Sequence, residues 1–396
     1  MDAAAFLAEM RRFDAFGRPT ATGTVDGLPY LTNEFWTAAQ RRAHPIHEVS
    51  YRACFKPQLP EFFIARLTAP GEAVLDPFMG RGTTPVQAAL MGRRPVGNDA
   101  NPLSTLLTRP RLSPPDPSAV ARRLADIPWG RPVAPRDDLL AFYHPATLRH
   151  ICALRDWLAE VAPLDDPAPD PVADWIRMVA LNRLTGHSPG FFSVYTLPPN
   201  QAASVANQRR INARRGQVPP ERDVPALILK KTAQLLARGG PPPHPPALLT
   251  TGQAARMPAL ADASVALAVT SPPFLDIVHY AADNWLRCWF AGIGLDAVPI
   301  ARHGSEAAWE AMVRATLAEL ARVLRPGGHL AFEVGEVRGG RVLLERAVWR
   351  AAEGLPLERL AVLVNRQDFT KTANCWGIAN NRRGTNSNRI VLMRRA

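Results

Sequence analysis

The sequence predicts an α/β fold: a doubly wound, mostly parallel sheet interrupted by a long, mainly helical insertion. Three observations carry this expectation. Short apolar runs ending in turn or acidic residues alternate with helix-period stretches in both the first and last parts of the chain. A glycine-rich turn directly follows one of those runs and opens a helix-period stretch. Two proline-rich stretches, "RLSPPDPS" from Arg111 and "GGPPPHPP" from Gly239, fence off a middle block whose periodicity is helical.

The first block, residues 1–112, contains the runs "AVLDPF" and "RPVGND" with "TTPVQAALMG" between them, a helix closed by Gly92. A right-handed crossover makes the two strands parallel neighbours, with their carboxyl ends on one edge of the sheet. The second block, residues 113–246, shows helical spacing in "PATLRHICALRDWLAEVA" and "PVADWIRMVALNRLTG". The third, residues 247–396, resumes the alternation. Its strands are "ALLTT", "SVALAVT", "HLAFEVG", "LERLAVLVN" and "RIVLM", with a helix at "EAAWEAMVRATLAELARVL" and a glycine turn at "RPGG". Blocks one and three together make one sheet.

The chain has 396 residues, 47% of them hydrophobic and 21% charged, enough for a sizeable buried core. A formal charge of +12 favours polyanions and makes nucleic acid the leading partner class, although an arginine-rich composition makes many proteins basic without such a partner. The four cysteines, Cys54, Cys152, Cys288 and Cys375, lie far apart with no CxxC pair, so neither a disulfide framework nor a metal site is expected. The apolar run near the N-terminus is too short for a signal peptide, and 18 consecutive apolar residues occur nowhere; a cytoplasmic protein without a membrane partner is expected.

Two loops carry candidate chemistry. "DPFMGRGTT", Asp76 to Thr84, follows a strand and opens a helix; Gly80 and Gly82 allow a tight turn with close backbone approach to a polar ligand. Asp99 ends the next strand, about 20 residues beyond the glycine turn, where an acidic side chain accepts the hydroxyls of a ribose. Capping of the helix beginning near Asn101-Pro102 is its other reading. The second loop is "VTSPPF", Val269 to Phe274, in which two prolines end an apolar strand and stiffen the backbone beside a hydroxyl and an aromatic ring.

These residues resemble the S-adenosylmethionine-dependent amino-methyltransferases of DNA, the group acting on cytosine N4 or adenine N6. "DPFMGRGTT" resembles the family's cofactor motif, with Asp76, Phe78, Gly80, Gly82 and Thr83 on its positions, and "FKPQLPEFFIARLTAPGEAVLDPF" resembles its lead-in, in which Lys56-Pro57 closes over the cofactor. "TSPPF" resembles the catalytic tetrapeptide, Ser271, Pro272, Pro273 and Phe274. Gln253 stands where the family carries an acidic residue after the third strand. The resemblance covers blocks one and three. It implies a Rossmann-like methyltransferase sheet, S-adenosyl-L-methionine as cofactor, Asp99 as its ribose ligand, and DNA as substrate, with RNA the alternative polymer and a cognate restriction endonuclease a partner of the group. Serine at the first tetrapeptide position is the pattern for cytosine N4; adenine N6 is the alternative.

The tetrapeptide suits the chemistry. The lone pair of an exocyclic amine is conjugated into its ring, so a site must accept the amine's hydrogens as nitrogen turns towards sp3. The Ser271 hydroxyl and Pro272 carbonyl supply two acceptors, rigidly placed, and Phe274 a stacking face. In the middle block, "NQRRINARRGQVPPERD" gathers Arg209, Arg210, Arg214 and Arg215 among Asn and Gln, a candidate DNA-facing segment for target recognition; a solvated surface is the plainer reading. Lys371, Arg382 and Arg383 near the end form a second basic candidate. In "DIVHYAADNWLRCWF", Asp276, Tyr280, Asn284, Trp285 and Arg287 either line a base pocket or belong to the buried face of a helix.

Overall fold

A computed structural model describes residues 2–37, 43–52, 54–166, 168–273, 280–294, 305–337, 342–366 and 387–396. Helix α1 (Ala3–Arg11) and a hairpin, β1 (Ala21–Val25) with β2 (Leu28–Asn33), come first. Asp26 and Gly27 turn that hairpin at φ 51° and 78°, the positive values a two-residue hairpin turn of the Asp-Gly kind demands. Then follow α2 (Gln58–Leu67), β3 (Ala73–Asp76), α3 (Thr83–Leu90), β4 (Arg94–Asp99) and α4 (Leu103–Leu112). The middle of the chain supplies α5 (Pro117–Asp126), α6 (Pro145–Val161), α7 (Pro171–Arg183), α8 (Val205–Arg215) and α9 (Val224–Leu235). The last part holds β5 (Leu248–Thr251), β6 (Val265–Thr270), α10 (Tyr280–Ala291), α11 (Glu306–Val323) and β7 (Leu324–Val334). It ends with a short hairpin, β8 (Glu336–Val337) and β9 (Val342–Leu343), then α12 (Leu344–Ala351), β10 (Leu357–Arg366) and β11 (Ser387–Arg395).

Among the described residues, nine strands form one sheet in the order β1-β2-β10-β11-β7-β6-β3-β4-β5. β3 lies between β4 and β6 and is parallel to both, so the doubly wound arrangement expected from the sequence is present. From β3 the chain winds outward through β4 to β5, then returns to the other side of β3 through β6 and β7. The order therefore reverses between β3 and β6, and in open α/β sheets the crevice at such a switch point, beyond the strands' carboxyl ends, is where ligands bind. β11 runs antiparallel to both β7 and β10.

Side-chain alternation explains the layers. Leu75, Ala268, Leu330 and Phe332 face α11 and α12, packing with Val313, Leu317 and Val348. Their neighbours Val74, Leu267, Val269 and Ala331 face α1 and α2, packing with Phe6, Phe62 and Phe63. Both faces being covered, β3 and β6 are buried throughout, which is why they read as continuous apolar runs. The "RPGG" turn is displaced: α11 ends at Val323, and the segment is taken into the start of β7, where Gly327 has φ 75° and the register against β6 slips between Val265 and Leu267. A bulge takes the place of the turn.

The helical block packs into the rest of the molecule. Trp175 and Met178 of α7 and Ile228 of α9 share one apolar core with Leu103, Leu106 and Leu107 of α4 and with Leu286 and Phe290 of α10. Arg109 of α4 donates to the Asp174 carboxylate of α7 at 2.7 and 2.9 Å. Packing thus crosses the boundaries drawn at 113 and 246.

Candidate active site

Two strand ends are tied together at the switch point. Asp76 closes β3, buried, and its Oδ1 accepts the Thr270 hydroxyl of β6 at 2.6 Å and the Phe78 amide at 3.1 Å. Burial pushes the Asp76 carboxyl up to about 7, against the pull of Thr270 and then of the Phe78 amide. Thr84, in the first turn of α3, donates to the Val269 carbonyl at 3.0 Å. Asn98 ties in β5: its amide donates to the carbonyls of Pro77 and Gly252 at 3.3 and 2.9 Å.

The loop from Phe78 to Gly82 is built around two left-handed glycines, Gly80 at φ 51° and Gly82 at φ 75°. A side chain at Gly82 would be strained by that φ and would collide with Thr108 of α4. A side chain at Gly80 would meet Cys54 and Tyr51, which precede the lead-in segment. Arg81 is buried within the loop; it donates to the Thr83 hydroxyl at 3.2 Å and the Val49 carbonyl at 2.9 Å. Arg111 lies beneath, fully buried, donating to the carbonyls of Leu107, Ile46 and Arg81; burial and the neighbouring Arg81 charge bring its pKa down to about 9. Half-buried Lys56 precedes α2, its pKa lowered by burial and then by Arg81.

Asp99 braces this loop from β4. Its Oδ2 accepts the Gly80 amide and its Oδ1 the Asn101 amide, both at 2.8 Å. Burial raises its pKa; the two amides and then the Ser104 hydroxyl oppose that. The helix-capping alternative falls to Asn101, whose Oδ1 accepts the Leu103 amide at 3.0 Å as α4 begins. A carboxylate offers about four lone-pair sites, so acceptor capacity remains on this half-buried group. Such an acceptor fits a vicinal diol.

Ser271, Pro272 and Pro273 continue from β6; Phe274 lies outside the described residues. Asp76 pairs with Gly97 on one side and Leu75 with Ala268 on the other. Asp99 and Ser271 therefore each stand two residues past the end of β3, on its two flanks, about 10 Å apart by two inter-strand spacings. The diproline is held from behind: Trp309 of α11, fully buried, donates its indole N–H to the Pro273 carbonyl at 2.8 Å. On β7, the buried Glu333 carboxylate accepts the Asn388 amide at 2.9 Å and hydrogen-bonds with the Ser271 hydroxyl.

Thr270, Trp309 and Glu333 were not singled out in the sequence. Only Glu333 left a signal there, as a charged residue inside the apolar run "HLAFEVG", where burial demands a partner.

Arg209, Arg210, Arg214 and Arg215 are all exposed on α8, away from the strand ends along the chain. Among their polar neighbours, Gln208 and Gln217 donate to the Tyr195 carbonyl and Asn212 to that of Ala141, so these amides are internal staples of the helix. Arg215 lies 3.9 Å from the ring centroid of Tyr195, which is 41% exposed. In α10 the two readings resolve towards packing. Trp285 donates to the Ala203 carbonyl, and Arg287 to those of Ser50 and Pro199. Asp276, Lys371, Arg382 and Arg383 lie outside the described residues, as does the side chain of Tyr280. No helix among the described residues is long and apolar enough to cross a membrane.

Residues 26–104, the stretch holding the Gly loop and Asp99, match the family model described as "DNA methylase". The chain is 37% identical over 87 residues to the Type II methyltransferase M.MjaII of Methanocaldococcus jannaschii, covering 22% of this chain and 16% of that protein. It is 33% identical over 82 residues to the Type II methyltransferase M.MvaI of Kocuria varians, covering 20% and 18%. The match thus spans less than a fifth of either relative's length. Among solved structures, a Thermus thermophilus protein in complex with S-adenosyl-L-methionine is 24% identical over 36% of this chain and 53% of its own, with TM-score 0.22. The rRNA methyltransferase aviRa of Streptomyces viridochromogenes is 13% identical over 92% and 97%, with TM-score 0.33. At those scores the fold stands on its own strand order.

Proposed function

We propose, from the match of residues 26–104 to the DNA methylase family model, that the chain moves a methyl group from S-adenosyl-L-methionine to the exocyclic amine of a DNA base, cytosine N4 in first place. The hydrogen bond from Thr270 to Asp76 carries this reading, because it joins the strand that opens the Gly loop to the strand that ends in the Ser-Pro-Pro turn. Cofactor and base then meet at one edge of one sheet.

Asp99, with acceptor capacity left, would hold the ribose hydroxyls. Gly80, Gly82 and Thr83 would shape the bed for the cofactor, with Phe78, Asp76 and Lys56 around it. When bound, the cofactor supplies an electrophilic methyl on a sulfonium, so positioning and desolvation are what the chain must add. Ser271 and the Pro272 carbonyl accept the amine's hydrogens, and the diproline keeps that carbonyl from reorienting. A paired base hides its amine, so the target is flipped out at a cost of roughly a few kcal/mol, offset by stacking and edge contacts. The α8 arginines grip phosphates, and the block from 113 to 246 serves target recognition. Serine rather than Asp or Asn before the prolines favours cytosine. A cognate restriction endonuclease belongs to the same proposal.

The test is transfer of a labelled methyl from the cofactor to duplex DNA, tRNA and rRNA, followed by mass spectrometry of the nucleosides. Labelled N4-methylcytosine in DNA is expected. N6-methyladenine would move the assignment to the other base, and label in RNA alone would overturn the polymer.

A further inference from the structure

A buried carboxylate, with no cationic partner among the described residues, stands behind the Ser-Pro-Pro turn. Glu333 is 7% exposed on β7, the neighbour of β6 in the sheet. Thr270 pairs with Phe332 in that parallel ladder, so Ser271 and Glu333 are the next residues on the two strands. They also share a face: Val269 and Ala331, two residues earlier on each strand, pack together in the layer under α2. Burial raises the Glu333 pKa, and only neutral groups oppose it, the Ser271 hydroxyl from β6 and the Asn388 amide from β11. The nearest cation along β11, Arg389, alternates to the other face and pairs with Glu345 of α12 at 2.6 Å. An ionised carboxylate without a cation beside it is costly in such a place, and groups perturbed in this way cluster at functional sites.

We propose that Ser271 and Glu333 form a proton-accepting pair: the carboxylate holds the serine's hydrogen, turns the oxygen's lone pairs to the amine, and takes up that hydrogen during transfer. The inference rests on the amino-methyltransferase reading. As the amine nitrogen gains the methyl, the carbon–sulfur bond breaks with its electron pair staying on sulfur. One N–H proton passes to Ser271 Oγ, the serine's own proton passes to Glu333, and the neutral acid later returns it to water. A serine alone is a weak proton acceptor, because its neutral hydroxyl has little basicity; the carboxylate supplies what it lacks.

Single-turnover transfer to duplex DNA, with the full chain preloaded with cofactor, tests the pair. Glu333→Gln should slow transfer about 100-fold or more, the size typical of general-base loss, with dissociation constants for cofactor and DNA unchanged and Glu333→Asp recovering part of the rate. Ser271→Ala combined with Glu333→Gln should be no slower than Ser271→Ala alone. Asn388→Leu provides a variant that keeps the carboxylate: stripped of its amide donor, Glu333 holds its proton more tightly, and the acidic limb of the rate profile should move to higher pH. Wild-type rate in Glu333→Gln, additive losses in the double variant, or an unmoved limb in Asn388→Leu would each overturn the pair. If the unaltered chain methylates no DNA, the functional reading fails with it; if it does methylate DNA while Glu333→Gln matches it, the pair alone fails.

Discussion

Thr270 donates a 2.6 Å hydrogen bond to Asp76 across two neighbouring parallel strands, and both groups are buried. Replacing Thr270 with Val keeps the shape and deletes the donor. Asp76 Oδ1 keeps the Phe78 amide, so the loss is that of one hydrogen bond to a carboxylate, about 1.5–3 kcal/mol. We expect Thr270→Val to lower stability by that amount in denaturant titrations and to weaken cofactor binding, because the Gly loop starts from Asp76. Unchanged stability and affinity would remove the bond from the account.

Asp76 makes stability depend on pH. Its carboxyl, pushed up to about 7 in the folded chain, binds more protons folded than unfolded between about pH 4 and 7. The stabilisation is present at low pH and is lost as pH rises through 7. Unfolding free energies at pH 5 and 8 should therefore fall on the alkaline side more for the unaltered chain than for Asp76→Asn, by no more than about 3 kcal/mol at roughly 1.4 kcal/mol per pH unit below 7. A parallel response in the two proteins would contradict the raised value.

Trp309 holds the Pro273 carbonyl through its indole N–H. Trp309→Phe retains an aromatic ring and loses the donor. Turnover is expected to fall about tenfold, since a misplacement of the acceptors weakens only the transfer step, while cofactor affinity measured by calorimetry stays within about twofold. A change confined to thermal stability would make the residue purely structural.

The four exposed arginines of α8 are expected to touch phosphate. Substituting Arg209, Arg210, Arg214 and Arg215 together with Ala should weaken binding to all DNA sequences alike and flatten the plot of log affinity against log salt by about 0.9 for each phosphate left without its arginine. Helix content should persist, because Gln208 and Asn212 anchor α8 from its inner side. An unaltered salt slope would place the DNA elsewhere.

The legible parts of this molecule are local in sequence. The "AVLDPF" strand, the glycine turn and the helix to Gly92 form a contiguous unit whose periodicity and turn chemistry point one way, and the apolar run before Ser271 reads as a buried strand for the same reason. Position at one sheet edge then follows from right-handed crossovers alone. What stayed hidden is non-local. Thr270 meets Asp76 across 194 residues and Trp309 meets Pro273 through a helix packed beneath the sheet. No spacing rule reports such pairs. The polar residues around α8 misled in the opposite direction: Gln208 and Asn212 have the side chains of base readers but are spent on backbone carbonyls. The hairpin at Asp26-Gly27 carries an ordinary turn signal, and the five- and six-residue strands beside it are too short to add a clear alternation.

On the proposed reading the Gly loop and the Ser-Pro-Pro turn serve a single site. The single-turnover rate of methyl transfer by Ser271→Ala, with cofactor saturating and bound as in the unaltered chain, tests it most directly. The expected rate is at least about 100-fold lower. Transfer at the unaltered rate by that variant would contradict it.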